Sequence, residues 1–138
     1  MVPWIYDGRK ILSLDDVPEG AVSFIYLISN VEGLHYIGKK SLYSTVTRPP
    51  LKGTRKKRKV TKQSKWLTYK SSNKIVKEWE DWEITNRTII NWAYTKKHAT
   101  YLECHALFSL NVLKSDVFLN DNIQGRFFSS DLDFLPDV

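Results

Sequence analysis

The sequence predicts an α+β domain: a central three-stranded antiparallel sheet flanked by helices and interrupted by a basic loop. Three observations carry that prediction. Val22 to Ser29 and Leu34 to Gly38 are β-branched and aromatic runs joined by the turn-forming Val31-Glu32-Gly33. Arg87 to Tyr94 is a third run of the same character. Apolar residues recur at helical spacing in Ile75, Val76, Trp79 and Trp82, and again in Leu102, Ala106, Leu110 and Leu113. With 138 residues, 42% apolar and 13% aromatic, the chain suits one compact domain, 1–138, whose core spans about 22–122.

Taken in order, Trp4-Ile5-Tyr6 and Arg9-Lys10-Ile11-Leu12 flank Asp7-Gly8, a pair suited to the positive φ angles of a type I′ turn. Residues 1–20 therefore read as an N-terminal hairpin extension ending in the connector Asp15 to Gly20. In the next hairpin a three-residue loop with Gly33 left-handed pairs Asn30 with Leu34, Ile28 with Tyr36 and Tyr26 with Gly38. Side chains alternate at period two, so this register puts Tyr26 and Tyr36 on one face. A four-residue loop would put them on opposite faces. Arg48-Pro49-Pro50 cannot continue a regular element for long, and 44–64 reads as a mobile basic loop. Ser72-Asn73 offers an N-cap for a helix over 74–82. Thr100 to Glu103 fits a capping box opening the second helix. The tail, 127–138, is acidic and is expected to pack through Phe128, Phe134 and Leu135.

The net charge of +6 hides an asymmetry. Between Gly33 and Lys77 lie 14 of the 21 lysines and arginines and none of the 15 acidic residues. Such a field attracts polyanions and releases their counterions, giving affinity that falls steeply with salt. The run Arg55-Lys56-Lys57-Arg58-Lys59 is too concentrated for an ordinary solvated face and points to nucleic acid. The single Cys104 excludes an internal disulfide and a cysteine-based zinc site. No apolar run approaches the ~18–20 residues that cross a bilayer, and the start lacks a charged segment before an apolar one, so no membrane partner and a cytoplasmic location are expected.

Tyr26 ten positions before Tyr36-Ile37-Gly38, then Lys39-Lys40, a basic region and a helix bearing Glu103, resembles the GIY-YIG nuclease domain. The resemblance covers about Val22 to Asn122. It is strongest to phage-encoded members, which share an Ile-Gly-Lys-Lys segment, a Ser-x-Trp-x-x-Tyr-x-x-Ser-Asn stretch, here Ser64 to Asn73, and a Tyr-x-Glu helix. It implies a small GIY-YIG-type domain and a metal-dependent DNA endonuclease, acting in a host cytoplasm if phage-encoded. The implied cofactor is Mg²⁺, with Mn²⁺ as an alternative, held by Glu103. One carboxylate suffices for Mg²⁺, which keeps several waters.

The resemblance also implies roles. Tyr26 matches the tyrosine proposed to take a proton from the attacking water, and Tyr36 its partner that orients water or phosphate. A phenol titrates near ~10, so Tyr26 needs neighbouring cations, for which Lys39 and Lys40 are candidates. Asn120 matches an asparagine that supports the site, with Asn122 close enough to be confused with it. Lys39, Lys40, Arg55, Lys56, Lys57, Arg58 and Lys59 are the expected DNA-binding residues. Phe24 stands where the motif usually has glycine. Val46 stands where the family has a helical arginine about ten residues after the second tyrosine. Arg48 is the nearest replacement, although Pro49 disfavours it from a helix, and Arg55 or Arg58 are alternatives from the loop. Without that cation the chain would be a catalytically impaired GIY-YIG-like DNA-binding protein. A homodimer with one site per DNA strand is a further expectation, supported only by the surplus of Trp66, Trp79, Trp82 and Trp92, which suit the core equally.

Overall fold

The computed structural model describes residues 1–132. Strands β1 (Trp4–Tyr6) and β2 (Arg9–Ile11) form the N-terminal hairpin, with Asp7 and Gly8 at φ 50° and 77° as a type I′ turn requires. β3 (Ser23–Asn30) and β4 (His35–Ser41) follow, then β5 (Tyr43–Arg48) and β6 (Arg58–Gln63). The one-turn helix α1 (Lys74–Lys77) precedes β7 (Ile84–Ala93) and the helix α2 (Lys96–Ser109). Two short strands, β8 (Asn122–Ile123) and β9 (Phe127–Phe128), close the described chain.

The main sheet has five strands rather than three, in the order β2-β1-β7-β3-β4. Its centre is the expected antiparallel β7-β3-β4. The N-terminal hairpin is not an appendage: β1 pairs in parallel with β7 through Ile5 and Thr88, so the sheet is mixed. Trp4 accounts for this docking, because it is fully buried against Phe24 and Tyr26 and its Nε1 donates to the Trp66 carbonyl at 2.8 Å.

β3 is covered on both faces, as a central strand must be when each face carries its own layer. Phe24, Tyr26 and Ile28 enter an aromatic core with Trp4, Trp66, Trp79 and Trp92. Ile25 and Ile37 enter a second core against Ala99, Ala106 and Leu107 of α2. Phe24 makes edge contacts with four aromatic rings, so the residue in the motif's glycine position is a packing centre.

Several expected elements differ. The basic segment 44–64 is not a loop: β5 and β6 pair from Tyr43↔Gln63 to Arg48↔Arg58, and only 49–57 form its tip. Alternating Thr45, Val46, Thr47 against Val60 and Thr61 supplies the β pattern that the charge obscures. The helix expected over 74–82 stops at Lys77. Asn73 caps it through bonds from the Ile75 and Val76 N–H groups, and Val76 and Trp79 are buried, but Ile75 and Trp82 are exposed. Three of the four tryptophans named above are thus core, and Trp82 lies outside it. α2 begins at Lys96, four residues before Thr100, with Thr95 as the N-cap accepting from the His98 N–H at 2.9 Å, so Thr100 and Glu103 lie inside the helix rather than in a capping box. Leu110 is the exposed C-cap and Leu113 lies beyond the helix, which shortens the expected apolar stripe. At the tail, Phe127 packs edge-on against Phe108, and Phe134 and Leu135 lie outside the described residues.

Candidate active site

The register of β3 and β4 is the one the three-residue turn requires, with Tyr26↔Gly38 and Ile28↔Tyr36. Gly33 has φ 78°, and the Asn30 N–H donates to the Leu34 carbonyl at 3.1 Å. The Asn30 side chain tightens the turn further, accepting from the Glu32 and Leu34 N–H groups. Both phenols therefore occupy one face, their ring centroids 6.4 Å apart. Gly38 is what lets the first ring lie there: a Cβ at that position would sit 2.5 Å from the Tyr26 hydroxyl oxygen and 2.7 Å from its Cζ. The glycine is required by the tyrosine paired with it.

The two phenols have unlike surroundings. Tyr26 is 1% exposed and donates to Ser71 Oγ at 3.2 Å, with Tyr69 edge-on against it. Burial first, and the neighbouring Tyr69 second, raise its pKa well above the usual phenol value. Lys39 and Lys40 do not supply the expected counter-field: Lys39 Nζ donates to Thr100 Oγ1 at 2.9 Å, and Lys40 lies over the Tyr69 ring, 4.4 Å from its centroid. A phenolate at Tyr26 is opposed by its surroundings. Tyr36 is less buried and opens onto a polar cleft of about 240 Å³ shared with Asn73, Glu103, Asn120 and Asp121. Its pKa is raised too, by burial and then by the negative charge of Glu103, while a hydrogen bond with Ser72 acts in the opposite sense.

β4 is the edge strand, and this is how Glu103 and Tyr36 meet. Glu103 comes from α2, which packs on the Ile25 and Ile37 face, whereas Tyr36 projects from the aromatic face. At this end of the sheet the two side chains line one cleft. Burial raises the Glu103 pKa, with Lys39 and a bond from Gln124 Nε2 to Oε1 at 3.1 Å partly offsetting it. A carboxylate held in this way is suited to a cation. The surrounding oxygen donors of Asn73, Asn120, Asp121 and Asn122 fit a hard ion that retains waters. Among the described residues no cluster of three His, Cys, Asp or Glu is present.

Asn120 acts on the strand itself. The edge of β4 is first covered by main chain, the His35 N–H donating to the Val117 carbonyl and the Leu119 N–H to the His35 carbonyl, each at 2.8 Å. One pair further on, Asn120 takes over: its Nδ2 donates to the Ile37 carbonyl at 2.8 Å and its Oδ1 accepts from the Ile37 N–H at 3.1 Å. The amide completes the ladder beside Tyr36. Asn122 does not share this role, since it accepts from the Gly125 N–H in the following turn.

Further along β4 lies a second, larger cleft of about 470 Å³, lined by Lys39, Lys40 and Lys96 with Tyr69 and Thr100 and by no acidic side chain. Arg48 is elsewhere. It ends β5 opposite Arg58, whose Nε donates to the Pro49 carbonyl, and it does not line the cleft of Tyr36 and Glu103. Arg55, Lys56 and Lys57 lie in the hairpin tip, with Arg58 and Lys59 at the start of β6. Val46 faces Val60 across the hairpin.

Sequence reasoning missed Ser71, Lys96, Gln124 and Arg87. The first lies within the Ser64 to Asn73 stretch that carries the resemblance, so its signal was at hand. Arg87 had none. Its guanidinium stacks 4.0 Å from the Trp4 ring and donates to the carbonyls of Val2, Leu67 and Tyr69 at 3.0, 2.9 and 2.6 Å. It ties the segment bearing Tyr69 and Ser71 beneath Tyr26. Burial lowers its pKa to about 10, which leaves it charged at neutral pH.

An α+β sheet with paired tyrosines on adjacent strands and a helical glutamate at the sheet edge defines a nuclease domain of the GIY-YIG class. Residues 4–123 match the family described as "Putative endonuclease segE, GIY-YIG domain", and the chain belongs to it. No curated protein and no solved structure matches the chain.

Proposed function

We propose that the chain is a metal-dependent endonuclease that hydrolyses phosphodiester bonds of DNA in the cytoplasm. The observation that carries this is the convergence of Glu103 and Tyr36 in one polar cleft, with a second cleft lined by three lysines further along β4. The backbone of the substrate would follow β4, with Lys39, Lys40 and Lys96 on its phosphates and the scissile group beside Glu103. Glu103 would hold Mg²⁺, which supplies positive charge to the phosphoryl oxygens. Tyr36, the phenol open to the cleft, orients the attacking water through its hydroxyl. Tyr26 acts from behind, holding Tyr36 and Ser71 in place. Water oxygen forms a bond to phosphorus as one ester P–O bond breaks, and the leaving oxygen ends with a proton. Lys39, hydrogen-bonded to Thr100 and close enough to lower the Glu103 pKa, holds positive charge at this point.

A second reading has one specific support. Arg48 is at the far end of β5, so the arginine of the family pattern has no counterpart in the cleft. On this reading the chain binds DNA without cutting it. Nicking of supercoiled plasmid decides between them: wild type nicks with Mg²⁺ or Mn²⁺, and Glu103→Gln lowers the rate about 10³-fold, near 4 kcal/mol of barrier. A wild type that retards DNA on a gel yet cuts under neither ion sinks the enzyme reading.

Stability gives an independent readout. Because the folded pKa of Glu103 is raised, its contribution to stability is greatest below the unfolded value near ~4.3 and is lost as pH rises through the folded value. At neutral pH the carboxylate is therefore a liability that a cation relieves. Metal-free Glu103→Gln is expected to melt above metal-free wild type at pH 7, while losing the rise in Tm that Mg²⁺ gives wild type.

A further inference from the structure

The register of β5 and β6 sorts the basic hairpin into two unlike faces. Residues opposite one another in an antiparallel pair share a face, and faces alternate along the strand. Tyr43 with Gln63, Thr45 with Thr61 and Thr47 with Lys59 form one row. Ser44 with Lys62, Val46 with Val60 and Arg48 with Arg58 form the other. The first face offers hydroxyls, an amide and threonine methyls with a single cation at its far end. The second offers three cations. Apart from Val46 and Val60 every one of these side chains is exposed, and among the described residues the ribbon pairs with no other strand. Its base is fixed to the sheet, with the Leu42 N–H donating to the Val22 carbonyl, the Ser64 N–H to the Leu42 carbonyl and Ser64 Oγ to the Ser41 carbonyl. It is a projecting two-stranded arm that continues from the strand bearing the candidate active site.

Such an arm has the cross-section of a known occupant of duplex DNA. The major groove, ~12 Å wide and ~8.5 Å deep, admits a two-stranded ribbon. A ribbon lying on its floor presents one face to base edges and lifts the other to the level of the rims, where the phosphates run. Neutral donors, acceptors and methyls suit the floor, since bases offer amide-matched edges and thymine offers a methyl. Cations suit the rims. Arg48 and Arg58 sit on opposite strands of one pair at the outer end of this face, with Arg58 Nε donating to the Pro49 carbonyl across the hairpin. The deep, narrow major groove of A-form RNA would not admit the same element.

We propose that the β5–β6 ribbon is the sequence-reading element of this nuclease, entering the DNA major groove with Thr45, Thr47, Thr61 and Gln63 on base edges and Arg48 and Arg58 on the flanking phosphates. This rests on the endonuclease reading only in taking DNA as the substrate. Six cross-strand pairs at ~3.4 Å per residue span about 17 Å, the length of about five base pairs. Arg48 thereby acquires a role at the place where the structure puts it, on the DNA backbone and away from the reacting phosphate.

The test is selection by the full chain, in EDTA, from a pool of DNA duplexes randomised over ten positions. Wild type is expected to enrich a motif of about four or five base pairs. The Thr45→Ala, Thr61→Ala, Gln63→Ala triple variant is expected to bind the unselected pool within about threefold of wild type and to enrich no motif. Arg48→Gln with Arg58→Gln is expected to enrich the same motif with affinity lowered about tenfold and a log-affinity against log-salt slope shallower by about two. A wild type that enriches nothing, or a triple variant that retains the motif, overturns the assignment. Competition on wild type needs no variant: methyl green, a major-groove ligand, should displace the protein and distamycin, a minor-groove ligand, should not, and the reverse overturns it. Plasmid nicking with no ribbon-dependent sequence preference leaves the endonuclease and removes the reader. Motif selection without nicking does the opposite.

Discussion

Two hairpins follow one another in this chain, and they are built on opposite terms. β3–β4 is pressed between two cores, and almost every side chain of β3 is buried. β5–β6 pairs only with itself, and ten of its twelve strand residues are exposed. The first positions chemistry to within an ångström, as the 2.5 Å that a Cβ on Gly38 would leave to the Tyr26 oxygen shows. The second displays charge and hydrogen-bonding groups at its surface and uses few of them internally, as Arg58 does toward the Pro49 carbonyl. Burial enforces one register and makes each side chain dependent on its neighbours. Exposure leaves side chains free for a partner. A domain of this size thus separates the machinery that must be rigid from the surface that must reach.

The contrast predicts graded losses. Arg87→Met should cost most, about 3–5 kcal/mol by urea denaturation, since three part-buried carbonyls lose the donor of a buried guanidinium and the segment under Tyr26 loses its anchor. A cost below about 1 kcal/mol would remove the clamp from the account. Gly38→Ala should cost about 1–3 kcal/mol, because the Tyr26 ring must shift to admit the methyl, and nicking should fall more than stability alone explains. Pairing it with Tyr26→Ala distinguishes that cause from strand propensity: with the ring gone, the added penalty of the alanine should vanish. Asn120→Asp should cost about 1–2 kcal/mol by the same measurement, the carboxylate keeping the bond from the Ile37 N–H while facing its carbonyl without a donor. In the ribbon, Arg55→Gln with Lys56→Gln and Lys57→Gln should leave stability within about 0.5 kcal/mol and weaken retention on heparin. A large loss of stability there would mean that the second hairpin is as dependent on its neighbours as the first.

Much of the first hairpin could be read before any coordinates. Its alternation, the glycine at position 33 and the spacing of the tyrosines are local properties, and the register of β3 and β4 then selects the three-residue turn over the four-residue one. The ribbon was hidden because its alternation is short and its charges dominate the composition, so a strand pattern of threonines and valines read as loop. The start of α2 misled for a related reason: Thr95 and Thr100 are equally good caps in isolation, and the end of β7 at Ala93 selects the first. The exposed Ile75 and Trp82 show helical spacing without a helix long enough to use it.

By itself the sequence determined the spacing of the paired tyrosines, the segregation of charge between residues 33 and 77, and the membership in the GIY-YIG family that those motifs announce. Only the tertiary structure decided which phenol opens onto the cleft, that Glu103 of α2 lines the same cleft, and that Arg48 stands on a projecting arm instead of beside it. The reason is range. Side-chain alternation and turn chemistry act over a few residues and survive in the sequence as pattern. Burial, edge exposure and the meeting of groups from opposite faces depend on contacts between segments far apart in the chain, which no local pattern encodes.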